Sequence, residues 1–438
     1  MNRVAALAPL LICLAFAGCI SDDPLAPTGP GTPTDDGKLE LTFRPPVDLG
    51  SSARIGAFGT NCQDSLVDGD CGLGEPSIEV DGAGAIYVSG VCCLTNPPPV
   101  YVSRDGGETF TDLATDTGVR ELFGIEGDFA VDAVGRIYFA DIEFAGTFQM
   151  TVWDKDGNYE RHTKWPAPPL VDRDWVRAEG DGHVYYVYNT GTATKVYKST
   201  DAGATFTPVS IYDASYGLGN VAIMPHEELC LFGGSLGGNR SLDCSLDGGE
   251  SWVTYAAEFP VGDDSYPVGA FDEVGNLFLA EARGGQIVVN MRQAADSYYA
   301  PSTQAPAGRW TGLQAITENG THRMPWIAAG SEGAAAIAWY GTPDDDVTSA
   351  SEWFLHVASN PRMDFLGEWT IHLADPEPVF VGNLQRELLD FLQVDIGPDG
   401  GVHVAYSKLP NDGSTEEQLT YVRSEPSALA MEEYWLGP

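Results

Sequence analysis

Basic residues are scarce in this chain: 23 lysines and arginines stand against 63 aspartates and glutamates, for a net charge of −40 at pH 7. A field of that sign repels nucleic acid and anionic lipid, which excludes both as partners. Long apolar runs are missing as well. The stretch from Val4 to Phe16 is too short for a bilayer-spanning helix. Histidine is rare, with seven residues, and none lies at ligand spacing from a cysteine pair, which removes a zinc site. What the chain does have is apolar content. At 438 residues and 43% hydrophobic it cannot be mainly disordered, and it is long enough for one large domain or two ordinary ones.

The first residues, MNRVAALAPLLICLAFAGC, read as a secretory signal: a lone Arg3, the apolar run, then small Ala17 and Gly18 before Cys19. The stretch resembles a lipoprotein signal, with Phe16-Ala17-Gly18-Cys19 as the lipobox and Cys19 as the lipidated first residue of the mature chain. The alternative is simple cleavage that leaves Cys19 free. Residues 1–19 are thus a signal peptide, and 20–38 a disordered tether rich in Pro, Gly and Thr. The protein is expected to be extracytoplasmic, at the cell surface or in the periplasm, touching the membrane through its lipid anchor alone. Export permits disulfides. Cys230 and Cys244 flank a Gly-rich span as neighbouring antiparallel strands would, and are expected to pair; Cys62, Cys71, Cys92 and Cys93 leave three pairings open.

Two patterns repeat along residues 39–438. One is Ser-x-Asp-x-Gly-x-(Thr/Ser)-aromatic, as SRDGGETF at Ser103, STDAGATF at Ser199 and SLDGGESW at Ser245. The other is strand, Asp/Gly turn, strand, anchored at Asp81, Asp132, Asp181, Asp272 and Asp399, with further copies at Ala222–Gly234 and Trp326–Gly341. Seven units of about 50 residues result, a period that signals a propeller or solenoid. Where both patterns occur, the octapeptide follows its strand pair as the turn between a third and a fourth strand. The expected architecture is all-β: one β-propeller of four-stranded antiparallel blades, seven rather than six, with KLELTFRPPVDLG supplying a strand that closes the ring.

The octapeptides match the Asp box, or BNR repeat. Together with WVRAEGDGHVYYVYN and WIAAGSEGAAAIAWYG they make the chain, from about Glu75 to Ser424, resemble the sialidase-like Asp-box propellers. Within the box, Ser and Asp oxygens take up backbone N–H groups and Gly takes a positive φ, so Asp105, Asp201 and Asp247 are expected to be structural staples, not catalysts. The opposite face gathers the starts of first strands and the ends of second strands around the channel. The resemblance implies that Arg173, Arg323 and Arg386 there would grip a sugar carboxylate. Tyr340, assisted by Glu281, would attack the anomeric carbon, and Asp141 would act as acid.

Other motifs lead elsewhere. Gly233–Gly237 spells GxSxG, but only strands surround it, whereas a nucleophile elbow needs a helix to follow. Asp344-Asp345-Asp346 and the segment from Asp64 offer oxygens of the kind calcium takes, although no cofactor is required. Three functions are open: a lipid-anchored propeller, expected to be monomeric, that binds glycan or a surface protein at its channel face; an active exo-sialidase-type glycoside hydrolase; or a cell-surface scaffold.

Overall fold

The computed structural model describes residues 38–51, 74–91, 98–113, 127–143, 146–166, 171–190, 193–212, 218–224, 228–234, 240–254, 267–294, 310–361, 369–385, 387–388, 391–409 and 417–429. The proposed signal and most of the tether, together with Cys19, Cys62, Cys71, Cys92, Cys93, Arg386 and the segment from Asp64, lie outside them. Every regular element of more than one residue among the described residues is a strand. After β1 (Val47–Ser51) come β2 (Gly74–Val80), β3 (Ile86–Val91), β4 (Tyr101–Ser103) and β5 (Thr111–Asp112), which form the first antiparallel sheet in that order. The second sheet is β6 (Gly127–Val131), β7 (Ile137–Glu143), β8 (Thr147–Trp153) and β9 (Tyr159–Pro166). The third is β10 (Asp172–Glu179), β11 (His183–Asn189), β12 (Thr194–Ser199) and β13 (Thr207–Tyr212). The fourth is β14 (Leu218–Met224), β15 (Glu228–Gly234), β16 (Arg240–Ser245) and β17 (Val253–Thr254).

The fifth sheet runs β18 (Val268–Phe271), β19 (Leu277–Arg283), β20 (Gln286–Arg292) and β21 (Gln314–Ala315). In the sixth, β22 (Thr321–Ala329), β23 (Ala335–Thr342), β24 (Glu352–Asn360) and β25 (Thr370–Leu373) are joined by β26 (Phe380–Val381), which pairs with the other end of β24. The last is β27 (Gln393–Ile396), β28 (Val402–Lys408) and β29 (Gln418–Arg423), with β1 as its fourth strand. The first strand of each sheet contacts the first strands of its neighbours, from β2 round to β27 and back to β2. Seven blades therefore close into a propeller, and the six-blade alternative falls away. Closure comes from β1, as the N-terminal segment led one to expect: Val47 faces Tyr421, Asp48 faces Thr420, and the Arg44 guanidinium donates two 2.9 Å bonds to Glu425.

Within each blade the strands alternate in direction, so turns between strands one and two share a face with turns between strands three and four. Both kinds are built on a carboxylate that caps its own turn. In the Asp boxes the Ser103, Ser199 and Ser245 hydroxyls donate to the Asp at 2.7–2.8 Å and accept a backbone N–H from the Gly four residues on. Each Asp then accepts the backbone N–H and hydroxyl of Thr109, Thr205 or Ser251. The Thr109 hydroxyl is the main reason that the Asp105 carboxyl is held down to about 2. Asp81, Asp132 and Asp272 do the same in first turns, accepting N–H groups two and four residues on. Two of them also tie adjacent blades, because Asp132 accepts from Gly182 N–H and Asp272 from Gly333 N–H.

The box aromatics fill the seams between blades. Phe110 lies edge-on to Tyr421 of the last blade at 5.1 Å, and Phe206 stacks on Trp165 of the second at 4.6 Å. The box glycines have no substitute where that seam is tight. Gly107 sits at φ +83°, and a Cβ there would lie 2.5 Å from the Tyr421 ring, whose hydroxyl is bonded to His403 at 2.7 Å. Gly107→Ala is expected to lower stability by about 3 kcal/mol, combining left-handed strain with a core clash. Gly180→Ala, at φ +55° with nothing within 4 Å, is expected to lower it by only about 1 kcal/mol. Urea unfolding midpoints compare the two. In the fourth blade Cys230 and Cys244 are register partners on β15 and β16 and form the expected disulfide.

Candidate functional site

The face opposite the turns, here the loop face, carries the starts of the inner strands, and four of those starts are irregular. The pairing register slips between Gly74 and Ser77, Asp172 and Asp174, Leu218 and Val221, and Arg323 and Trp326. Three of these bulges place a residue other than glycine at positive φ: Glu75 at 44°, Arg173 at 55° and Met324 at 55°. Such a conformation costs about 1–2 kcal/mol per residue. Bulges of this kind re-aim side chains, and here they act at the same level of three different blades.

Of the expected site residues, Arg173, Arg323, Tyr340, Glu281 and Asp141 are on this face, packed differently from an open clamp, and Arg386 lies outside the described residues. Arg173 is buried, with its guanidinium 5.6 Å above the Phe391 ring. Arg323 is half-buried; it lies 5.5 Å above the Trp353 ring and donates to the Leu384 carbonyl. Both therefore sit against the connection from β26 to β27, whose Leu384, Leu388, Phe391 and Leu392 are buried. Asp141 and Glu281 are buried too. Asp141 accepts a 2.8 Å bond from the Gln149 amide across β7 and β8. Burial, then the nearby charges of Asp141 and Asp128, hold the Asp174 carboxyl well above the usual carboxylate range; Tyr186 donates to it at 3.1 Å.

Tyr340 is 0% exposed. Its hydroxyl donates to the Ser407 carbonyl at 3.1 Å and accepts the Ser407 N–H at 3.0 Å. It is thus turned toward the last blade, whereas Glu281 belongs to the fifth. Burial pushes the Tyr340 hydroxyl pKa upward, the opposite of what attack requires. Of the acidic run, Asp345 accepts the Gly320 N–H at 2.8 Å and ties two loops together. Among the described residues the one group of three close metal-type side chains is Glu228 with Cys230 and Cys244, and both sulfurs are in the disulfide.

Sequence reasoning missed what fills the channel. Trp175 comes from the third blade, Trp326 from the sixth and Phe391 from the connection into the seventh, yet their rings lie 5.3–5.4 Å apart. The third and sixth blades are not neighbours, so these rings meet across the axis and plug it. Beyond the plug, toward the turns, the inner strands enclose a cavity of about 250 Å³ lined by Glu79, Arg177, Asn220, Gln393 and Asp395 among others. Arg177 donates to Asp128 at 2.7 Å and to the Val221 carbonyl at 2.8 Å, while Asp128 also accepts the Val176 N–H. Burial raises the carboxyls of Asp128, Glu79 and Asp395, the last to about 6; for Glu79 the charge of Asp395 adds to the effect. Arg177 lies inside WVRAEGDGHVYYVYN, and Glu79 and Asp395 lie just ahead of the turns anchored at Asp81 and Asp399, but the repeats do not mark them as site residues. Single polar positions in short inner strands look like ordinary alternation until the ring brings them together.

No family model matches the sequence, and no curated protein matches it. Similarity is found among solved structures. A fungal alcohol oxidase of the AA5 family, in complex with copper, superposes with a TM-score of 0.52 at 11% identity, over 88% of this chain and 76% of its own. The six-bladed lectin of Aleuria aurantia gives a TM-score of 0.42 at 12% identity, over 71% of this chain and 98% of its own. The SapL1 lectin in complex with α-methyl fucoside gives 0.41 at 11%, over 69% and 96%. At 11% identity the similarity to the oxidase shows a shared fold alone.

Proposed function

We propose that this protein is a lipid-anchored, extracytoplasmic propeller that binds a glycan on its loop face without hydrolysing it. Cys19 supplies the anchor and residues 20–38 hold the propeller away from the membrane. The observation that carries the binding reading is the set of strained bulges at Glu75, Arg173 and Met324, three of the four positive-φ residues other than glycine among the described residues. Strain of this kind persists only where its surroundings over-determine it, and it clusters at ligand sites. Around it lie buried carboxylates and aromatic rings, the groups that take sugar hydroxyls and sugar faces. Tyr340, with its hydroxyl committed in both directions to Ser407, favours binding over hydrolysis. A protein-contact reading draws on one further feature: Ile371 and Leu373, on the outer strand β25, are 43% and 48% exposed.

A glycan array probed with the full-length protein in detergent tests the proposal, alongside turnover of a fluorogenic sialoside. A subset of glycans is expected to bind, with Arg323→Ala weakening binding at least tenfold, Tyr340→Phe leaving it unchanged, and no sialoside turnover. Turnover that disappears in Tyr340→Phe would restore the hydrolase. Failure to retain any glycan would leave the scaffold reading.

A further inference from the structure

The channel cavity lies on the other side of the aromatic plug from the loop face, and it opens toward the turns. Along the inner strands Ile78, Val176, Val221 and Val268 are buried, whereas Glu79, Arg177, Ile223 and Ala270, nearer the turns, are partly exposed. We propose that this half of the channel is a binding site for an alkylammonium group, carried either by a free aliphatic amine or by a lysine side chain of a peptide.

The charge of the lining sets the sign of the ligand. Arg177, the cation in the wall, is held by three bonds: Nη1 bonds Asp128 at 2.7 Å and the Val176 carbonyl at 2.6 Å, and Nε bonds the Val221 carbonyl at 2.8 Å. It pairs with Asp128, and Glu79 and Asp395 add two further carboxyls to the lining. The amides are engaged as well. Asn220 exchanges both of its bonds with the Gly269 backbone at 2.9 Å, and Gln393 accepts the Ile78 N–H at 3.1 Å. Three carboxyls, those of Asp128, Glu79 and Asp395, stand against the one guanidinium, and a cation would relieve the burial of Glu79 and Asp395 and the charge of Asp395 on Glu79.

The opposite wall decides what kind of cation. Ile223, Ala270, Phe271, Ile327 and Ala328 line the fourth to sixth blades. A bare divalent ion asks for six to eight oxygens around it, more than the carboxylates of Glu79 and Asp395 supply. A chain of methylenes ending in an ammonium fits both sides: the head lies between Glu79 and Asp395, and the stem lies along the side chains of Ile223, Ala270 and Ile327. The site is independent of the glycan reading, because the Trp175, Trp326 and Phe391 plug separates the two.

Calorimetric titration of the full-length protein in detergent tests this with four probes: 1,5-diaminopentane, an N-acetyl-lysine amide, pentanoate and calcium chloride. One equivalent of diamine or lysine amide is expected to bind, and the tighter of the two identifies the source. Glu79→Gln is expected to weaken binding at least tenfold while preserving the fold, because its amide oxygen still accepts the Val131 N–H that the carboxylate takes. Ala270→Phe, which fills the cavity from its apolar side, is expected to abolish it. No amine binding, amine binding unaffected by both variants, or tighter binding of pentanoate or calcium would overturn the proposal.

Discussion

Replacing Arg292 by Met is expected to destabilise the protein by about 3–5 kcal/mol, the range for breaking one side of a buried ion pair. Arg292 ends β20 of the fifth blade and reaches Glu228, at the start of β15 in the fourth, over 2.6 Å; the two side chains are 3% and 6% exposed. The guanidinium also lies 5.8 Å from the Phe271 ring, so the pair is enclosed by protein rather than water. Losing Arg292 strands a carboxylate beside the Cys230–Cys244 disulfide, where no solvent can replace the lost partner. The double variant Glu228→Leu with Arg292→Met removes both charges, and is expected to be markedly more stable than Arg292→Met alone. Urea unfolding of the wild type, both single variants and the double variant completes the cycle. Equal losses for the single and double variants would mean that packing, not the stranded charge, sets the effect.

Deleting residues 38–51 is expected to have a larger effect still, at least about 5 kcal/mol. Leu39 and Leu41 are buried in the main core, and each such side chain contributes roughly 1.5–3 kcal/mol. The backbone pairing of β1 with β29 and the bonds that hold Arg44 and Glu425 to the opposite strand go with them. The Arg44–Glu425 ion pair itself is half-exposed and adds about 1 kcal/mol at most. Removing β1 also leaves β29 as an open edge, which invites pairing between molecules. The truncated protein is therefore expected to aggregate, and adding a peptide of residues 38–51 in trans is expected to raise its melting temperature. A truncated chain that melts like the full-length protein would show that the ring closes by other means.

The architecture was legible in the sequence because its signals are local. Asp81, Asp132 and Asp272 cap turns within four residues of themselves, and the Asp boxes do the same, so the chemistry that makes each turn is written beside it. Strand pairs without a box, such as Trp326–Gly341, remained recognisable from their alternation around a short turn. The pairing of Cys230 with Cys244 followed from the same hairpin logic. The site was not legible, because its neighbours are distant in sequence. Trp175 and Trp326 meet only once seven blades have closed. The connection that packs on Arg173 and Arg323 carries no motif. Tyr340 looked like a candidate nucleophile because it ends a second strand; only the position of Ser407, 67 residues on, shows that its hydroxyl is a cross-blade tie.

Disulfide trapping at the seam tests the closed ring most directly. Asp48 and Thr420 are register partners of β1 and β29, so an oxidised Asp48→Cys, Thr420→Cys variant should yield, after proteolysis and mass spectrometry, one peptide pair joined through positions 48 and 420. A folded protein in which cysteine 48 stays free, or joins some other cysteine, would contradict closure of the seventh blade by the N-terminal strand.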